Sequence, residues 1–181
     1  MNPLKTYLSI VTLLLAGGAW GCSSSPTKSA DVTSNIRRSL DDSGLKDVSV
    51  KQDRDRGVVT LGGHVSNDKA KAQAESVANS QAQGQVIANE IAIVTPGAEG
   101  QSKDINSDVD KGIENNLDAA LIQNNLRKQV DYKVKNGVIT LTGNVNSQAL
   151  RTQVAQIAAG VPYQQQVVNE LQVKNQKASS N

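Results

Sequence analysis

The chain repeats one pattern of apolar and polar positions. Residues 56–65 read RGVVTLGGHV and residues 136–145 read NGVITLTGNV, an offset of 80 residues. Each copy has a glycine at its start, continues through β-branched residues and is followed by Ser or Asn. This pattern is typical of a hairpin turn that leads into a strand. Because the same phrase recurs in register, the sequence predicts two copies of one small structural unit.

Around the first copy, the apolar spacing predicts a helix and a strand before the phrase and a helix and a strand after it. We expect Asp31 to cap the first helix, Ser66 or Asn67 to cap the second, and Gly84 to end the second. The inward-facing positions are Val32, Ile36 and Leu40 on the first helix, Val48 and Val50 on the first strand, Ala70, Ala74, Val77 and Ala78 on the second helix, and Ile87, Ile91 and Ile93 on a last strand that covers residues 85–94.

The second copy is flanked in the same way. Its inward-facing positions are Ile105, Val109, Ile113, Leu117 and Leu121, then Val130, Tyr132 and Val134, then Leu150, Val154, Ile157 and Ala158 behind an Asn146 or Ser147 cap, and finally Val167, Leu171 and Val173. The predicted fold class is α+β, with two tandem αββαβ two-layer sandwich domains at residues 31–95 and 104–174. The first two strands of each domain must be antiparallel, and the third can lie parallel to one of them. Residues 96–103 are predicted as a linker and residues 175–181 as a disordered tail.

The first 21 residues have the pattern of a signal peptide. Lys5 precedes a mostly apolar, uncharged stretch from Tyr7 to Trp20 that is too short to span a bilayer comfortably. The order Ala19-Trp20-Gly21-Cys22 resembles the bacterial lipoprotein cleavage box, in which the cysteine thiol receives a diacylglyceryl group. We therefore expect lipid attachment at Cys22, followed by a flexible tether over residues 22–30. The alternative is an ordinary secretory signal with an incidental cysteine.

Composition limits the other functions. The chain has 181 residues, a formal net charge of +2, one Cys and no Phe. No disulfide can staple the domains, and their cores must be built from Val, Ile, Leu and Ala. Neither domain carries the strongly basic face that binding to a phosphate backbone requires, so we expect no nucleic-acid partner.

No group of residues in the sequence indicates catalysis or metal binding. His64 is the only histidine, and its register in the strand predicts an exposed side chain. The Asp53-x-Asp55-x-Gly57 sequence departs from a calcium loop, since Gly57 stands where an oxygen ligand is needed. A charged hairpin turn is the better interpretation. The sequence therefore predicts no enzyme activity, no cofactor and no metal site.

The repeated phrase, the alanine-rich helix after it and a closing Asn-Glu pattern together resemble the BON domain. The closing pattern is Val86-Ile87-Ala88-Asn89-Glu90-Ile91 in the first unit and Val167-Val168-Asn169-Glu170-Leu171 in the second. Two copies behind a lipoprotein signal resemble the dual-BON envelope lipoproteins of Gram-negative bacteria, and are similar to a periplasmic two-BON protein induced by osmotic stress. The resemblance implies a location in the cell envelope, phospholipid binding, a role in envelope integrity, and no enzyme activity.

The chain departs from this family at the surface that would bind lipid. In dual-BON lipoproteins, contact with anionic phospholipid is attributed to the first helix of the second domain. Residues 104–124 instead carry five Asp or Glu and one Lys, and an anionic leaflet repels such a helix. The nearby basic cluster supplies the candidate headgroup contacts: Arg127, Lys128, Tyr132, Lys133 and Lys135. A solvated strand with its flanks is the alternative interpretation of that cluster.

We expect a binding module anchored by acylated Cys22 to the outer membrane, facing the periplasm. It would contact phospholipid or outer-membrane proteins and support envelope integrity or a stress response. The alternative is a periplasmic chaperone or adaptor for other envelope proteins. That function needs an exposed apolar face or sheet edge, and Val58, Val138 and Val161 are the candidates for such a face.

Overall fold

The computed structural model describes residues 28–174, and within them it confirms the predicted order of elements in both units. The first unit contains α1 (Thr33–Asp42), β1 (Val48–Asp53), β2 (Val58–Val65), α2 (Asp68–Gln81), β3 (Val86–Asn89) and β4 (Ala92–Ile93). The second contains α3 (Glu99–Gln123), β5 (Asp131–Lys135), β6 (Val138–Thr142), β7 (Asn144–Val145), α4 (Gln148–Ala159), β8 (Gln166–Asn169) and β9 (Gln172–Val173). The predicted signal peptide, Cys22 and the C-terminal tail lie outside the described residues.

The repeated phrase forms the central strand of each sheet. In the first unit β2 pairs antiparallel with β1 and parallel with β3 and β4. In the second unit β6 pairs antiparallel with β5 and parallel with β8, while β7 pairs parallel with β9. The predicted hairpin and crossover are thus both present. The last strand of each unit was predicted to be continuous, and this prediction is wrong. It breaks at Glu90-Ile91 in the first unit and at Glu170-Leu171 in the second, where Ile91 and Leu171 are buried in the core.

Each unit buries one face of its sheet under its two helices. The largest fully buried side chains of the first core come from α1, β2 and the strand break, and include Ile36, Leu40, Leu61 and Ile91. Asn67 caps α2 by accepting a hydrogen bond from the backbone N–H of Ala70 at 2.9 Å. Ser147 caps α4 in the same way through Leu150 at 3.1 Å. These side chains replace partners that the helix N-termini lack.

The predicted linker over residues 96–103 is too long, because α3 already begins at Glu99. The helix extends past the sheet of its own unit by several turns. Ile113 is fully buried, whereas Ile105 and Val109, on the same predicted stripe, are 62% and 42% exposed. The first turns of α3 have no core beneath them, so the apolar stripe is only partly buried.

The predicted tether, residues 22–30, is also too long, because its last three residues contact the first unit. Ser29 donates its N–H to the carbonyl of Arg54 at 2.9 Å, and Arg54 Nε donates to the carbonyl of Ser29 at 2.7 Å. Residues 28–30 therefore lie against the β1–β2 turn. Asp31 is also not the N-cap residue, since α1 begins at Thr33 after Val32. Its carboxylate nevertheless accepts the Thr33 N–H at 3.1 Å.

Candidate functional site

The two units pack against each other through the sheet faces that their helices leave uncovered. Val58 and Ala88 of the first unit form a buried cluster with Val138 and Val168 of the second. Each residue is at most 5% exposed, and the two pairs are related by the repeat offset. The expectation that Val58 and Val138 form an exposed apolar face is therefore wrong, because the two strands cover each other. Val161 is also buried, at 6% exposure.

A buried carboxylate lies beside this cluster. The Glu90 side chain is 7% exposed, with its two oxygens 3.2 Å from the Nζ atoms of Lys133 and Lys135. The side-chain amide of Asn136 donates to the Glu90 carbonyl at 2.7 Å. Three residues of the second unit therefore hold one residue of the first. Because a buried charge is costly without a partner, these contacts favour the joined arrangement of the units.

The equivalent glutamate of the second unit has a different partner. Arg56 Nη1 lies 3.2 Å from Glu170 Oε2. Burial raises the pKa of Glu170, and the carboxylates of Asp53 and Glu90 raise it further, while the Arg56 guanidinium opposes both effects. Burial therefore makes the charged form of Glu170 costly in spite of its ion pair with Arg56.

The side chain of Gln166 covers the outer edge of β3. Its Nε2 donates to the Ile87 carbonyl at 2.7 Å, and its Oε1 accepts the Asn89 N–H at 2.9 Å. The amide of Gln166 therefore satisfies two backbone groups that a neighbouring strand would otherwise bond. An uncovered edge invites pairing with another chain, so this contact protects the sheet as well as joining the units.

These contacts show that the units point in opposite directions. The turn of the second unit, at Asn136, meets the middle of the last strand of the first unit at Glu90. The turn of the first unit, at Arg56, meets the last strand of the second at Glu170. The two ends of the molecule therefore differ. The "Lys28 end" comprises residues 28–30, 53–57, 122–131, 143–146 and 174, and the "Glu99 end" comprises residues 62–66 and 92–108.

The structure divides the five predicted headgroup contacts into separate places. The contact surface between the two units, formed by the Val58 cluster and Glu90, is called the junction. Lys133 and Lys135 lie there and pair with Glu90. Arg127 pairs with the carboxylate of Asp118, and its guanidinium carbon lies 5.2 Å from the centre of the Tyr132 ring. The Tyr132 hydroxyl lies 3.1 Å from the same carboxylate. Burial and this hydrogen bond to Asp118 raise the pKa of Tyr132, and the charge of Arg127 opposes them.

Lys128 has a different environment from the other four candidates. It is exposed, and it lines an open polar cleft with Lys174 at the Lys28 end. No ion pair to Lys128 occurs among residues 28–174. Of the predicted basic cluster, Lys128 is therefore the residue without an ion pair among residues 28–174, whereas Arg127 pairs with Asp118 and both Lys133 and Lys135 pair with Glu90.

A groove of about 690 Å³ lies at the opposite end, between the first half of α3 and the last strand of the first unit. Ala92, Val94 and Val134 supply apolar lining, and His64 is exposed on its wall, as predicted. Asp110 of α3 accepts the backbone N–H groups of Asn136 and Gly137, both at 2.8 Å. This aspartate fixes the turn of the second unit, a role that its position in an acidic helix did not indicate.

The described residues contain neither a metal-binding cluster nor a membrane-spanning helix. Among residues 28–174 no group of three or more His, Cys, Asp or Glu side chains is placed to hold a metal ion. The Asp53 carboxylate instead accepts the backbone N–H groups of Asp55 and Arg56, as expected for a charged turn. Within the same range, no helix combines the length and the apolar content needed to cross a bilayer.

Comparison with known proteins identifies the repeated unit. The family model of the BON domain matches residues 28–95 and 109–175. No curated protein matches the chain by sequence. Among solved structures, the chain is similar to CdsD, a structural protein of the type III secretion system of Chlamydia trachomatis, with 14% identity over 80% of this chain and 92% of that chain and a TM-score of 0.35. It is also similar to the C-terminal domain of CdsD, with 17% identity over 80% of this chain and 66% of that chain and a TM-score of 0.31.

Proposed function

Because the chain belongs to the BON domain family, we propose that it is a non-enzymatic binding module of the cell envelope. Lipid attachment at Cys22 holds it to the outer membrane on the periplasmic side. There it contacts phospholipid headgroups and supports membrane integrity or a stress response. The family match over both units supports this proposal, since BON domains are modules that bind membranes and phospholipids.

The observation that supports headgroup contact is the position of Lys128 and Arg127. Both are exposed in the segment between α3 and β5. Lys128 forms no ion pair among residues 28–174, whereas Arg127 pairs with Asp118. Ile122, one turn earlier, is 56% exposed. Basic side chains next to an exposed apolar one suit the headgroup region of a bilayer, where a Lys or Arg gains about 1 kcal/mol near an anionic surface.

Vesicle co-sedimentation tests this proposal. Residues 23–181, without acyl groups, would be mixed at low salt with phosphatidylcholine vesicles that contain or lack phosphatidylglycerol. We expect binding only with the anionic lipid, and a loss of about 5-fold in affinity for Lys128→Gln. Lys51→Gln removes an exposed lysine from β1 and should leave affinity unchanged. An absence of binding to either vesicle would refute the phospholipid contact.

The groove favours a second candidate function, that of an adaptor for other envelope proteins. It is open, its lining is partly apolar, and its walls carry charges of both signs. A photo-crosslinking residue at Ser107, on the groove wall, would test this function in cells. Crosslinks to one specific envelope protein, together with no vesicle binding by the isolated chain, would favour the adaptor.

A further inference from the structure

The segment between Cys22 and the folded protein is short. Lys28 Nζ lies 3.2 Å from Asp55, and Ser29 is bonded through both backbone groups to Arg54. Only residues 23–27 separate this attachment from Cys22. From Cys22 to Lys28 the chain advances by six residues, which span at most about 20 Å when fully extended. An acylated Cys22 therefore holds the β1–β2 turn within about 20 Å of the bilayer surface.

The molecule is longer than this reach. Strand β2 has eight residues and runs away from the turn, so it covers about 26 Å at the usual rise per residue. The groove lies at its far end, where Gly63 and His64 of this strand line it together with the first half of α3. With the Glu99 end against the bilayer, Lys28 would stand farther from the membrane than the tether reaches.

From this geometry we infer that the Lys28 end is the surface that faces the bilayer, and that phospholipid headgroups contact it. This inference rests on the proposed lipid anchor and adds the orientation of the protein. Because the units point in opposite directions, the end includes the α3–β5 segment of the second unit as well as the turn of the first. Its exposed residues include Lys28, Arg54, Ile122, Arg127, Lys128 and Lys174.

The charge distribution agrees with this orientation. The ranges that make up the Lys28 end contain six Lys or Arg and three Asp. The Glu99 end is acidic, since its residues include three Asp or Glu and one Lys. An anionic leaflet therefore attracts the Lys28 end and repels the Glu99 end. The groove then faces away from the membrane.

Site-specific fluorescence quenching tests the orientation in the acylated, full-length protein on vesicles. Cys22 is the only cysteine, and acylation blocks its thiol, so a new cysteine is labelled alone. Lys128→Cys and Lys103→Cys form a matched pair, because both replace an exposed lysine, one at each end. The vesicles carry a phosphatidylcholine with a nitroxide on its headgroup.

We expect the label at position 128 to be quenched at least 3-fold more than the label at position 103. Inserting fifteen Gly and Ser residues after Ser25 should reduce this difference to less than 1.5-fold, because the longer tether lets the molecule turn. Equal quenching in the unmodified tether, or stronger quenching at 103, overturns the orientation. Vesicle flotation separates the two proposals: protein that fails to float refutes the anchor, and the orientation with it, whereas protein that floats with reversed quenching refutes the orientation alone.

Discussion

The junction between the units should depend on the lysines that surround Glu90. Replacing Lys135 by Met removes one of the two ammonium groups that lie 3.2 Å from the Glu90 carboxylate, and Lys133 remains as the other. The matched variant Glu90→Gln removes the charge and keeps the side-chain shape. Comparing both single variants with the double variant isolates the interaction between residues 90 and 135.

The burial of the two side chains sets the magnitude. A hydrogen bond to a charged group contributes about 1.5–3 kcal/mol when it is shielded. The Glu90 side chain is 7% exposed but the Lys135 side chain is 48% exposed, so the lower limit applies. We expect Lys135→Met to cost about 1.5 kcal/mol and the coupling energy to be about 1 kcal/mol. Removing Lys133 as well should raise the cost to about 3 kcal/mol, because Glu90 then stays buried without a cation.

Urea unfolding of residues 23–181 at pH 7, followed by far-UV circular dichroism, measures these energies. Lys111→Met is the control, since Lys111 forms an exposed pair with Asp108 at 3.4 Å and should cost less than about 0.5 kcal/mol. The wild type should unfold in one transition, because the junction joins the units. Additive effects of Glu90→Gln and Lys135→Met, within about 0.3 kcal/mol, would refute the interaction.

Three further predictions concern other parts of the chain. Burial raises the pKa of Glu170, so its charged form destabilises the folded protein. Glu170→Gln should therefore raise the free energy of unfolding at pH 7, as measured by urea titration. This gain should vanish as the pH falls, because wild-type Glu170 then takes up its proton. Gly63→Ala should cost at least about 3 kcal/mol in the same assay, since its Cβ would lie 2.0 Å from the carbonyl oxygen of Asp47, whereas Gly84→Ala, with nothing within 4 Å, should cost about 1 kcal/mol. The proposed cleavage before Cys22 would remove Trp20, the only tryptophan, so we expect the mature protein to show no tryptophan emission and an intact mass that includes acyl chains.

The elements of each unit could be predicted because local patterns determine them. Apolar residues every four positions placed α1, and β-branched residues after a glycine placed β2 and β6. Asn67 and Ser147 were among the expected caps, and both accept the backbone N–H groups that the helix starts leave free. The same local patterns do not show where a helix extends past its sheet. For this reason the predicted linker is too long, and Ile105, predicted to face the core, is exposed.

The junction could not be predicted, because its contacts join residues far apart in the sequence. Lys133 and Glu90 lie 43 positions apart, and no spacing rule connects them. One signal was present, namely a glutamate that recurs in register inside an apolar strand, as Glu90 and Glu170. A charge repeated at an inward or interfacial position needs a partner. That signal indicates burial but not which residues provide the opposite charge.

The divergence between the two copies shows why neither unit can replace the other. Arg151 of the second unit donates to the carbonyls of Asn169 and Leu171 and so covers the edge of its own sheet. The equivalent residue of the first unit, Lys71, instead reaches across to Gln165 at 2.8 Å. The first unit thus depends on the second for cover at its edge, chiefly through Gln166. Two copies of the first unit would leave that edge open, because Val86 stands where the second unit has Gln166, and an open edge invites pairing with other chains. The sequence differences between the copies therefore follow from joining them.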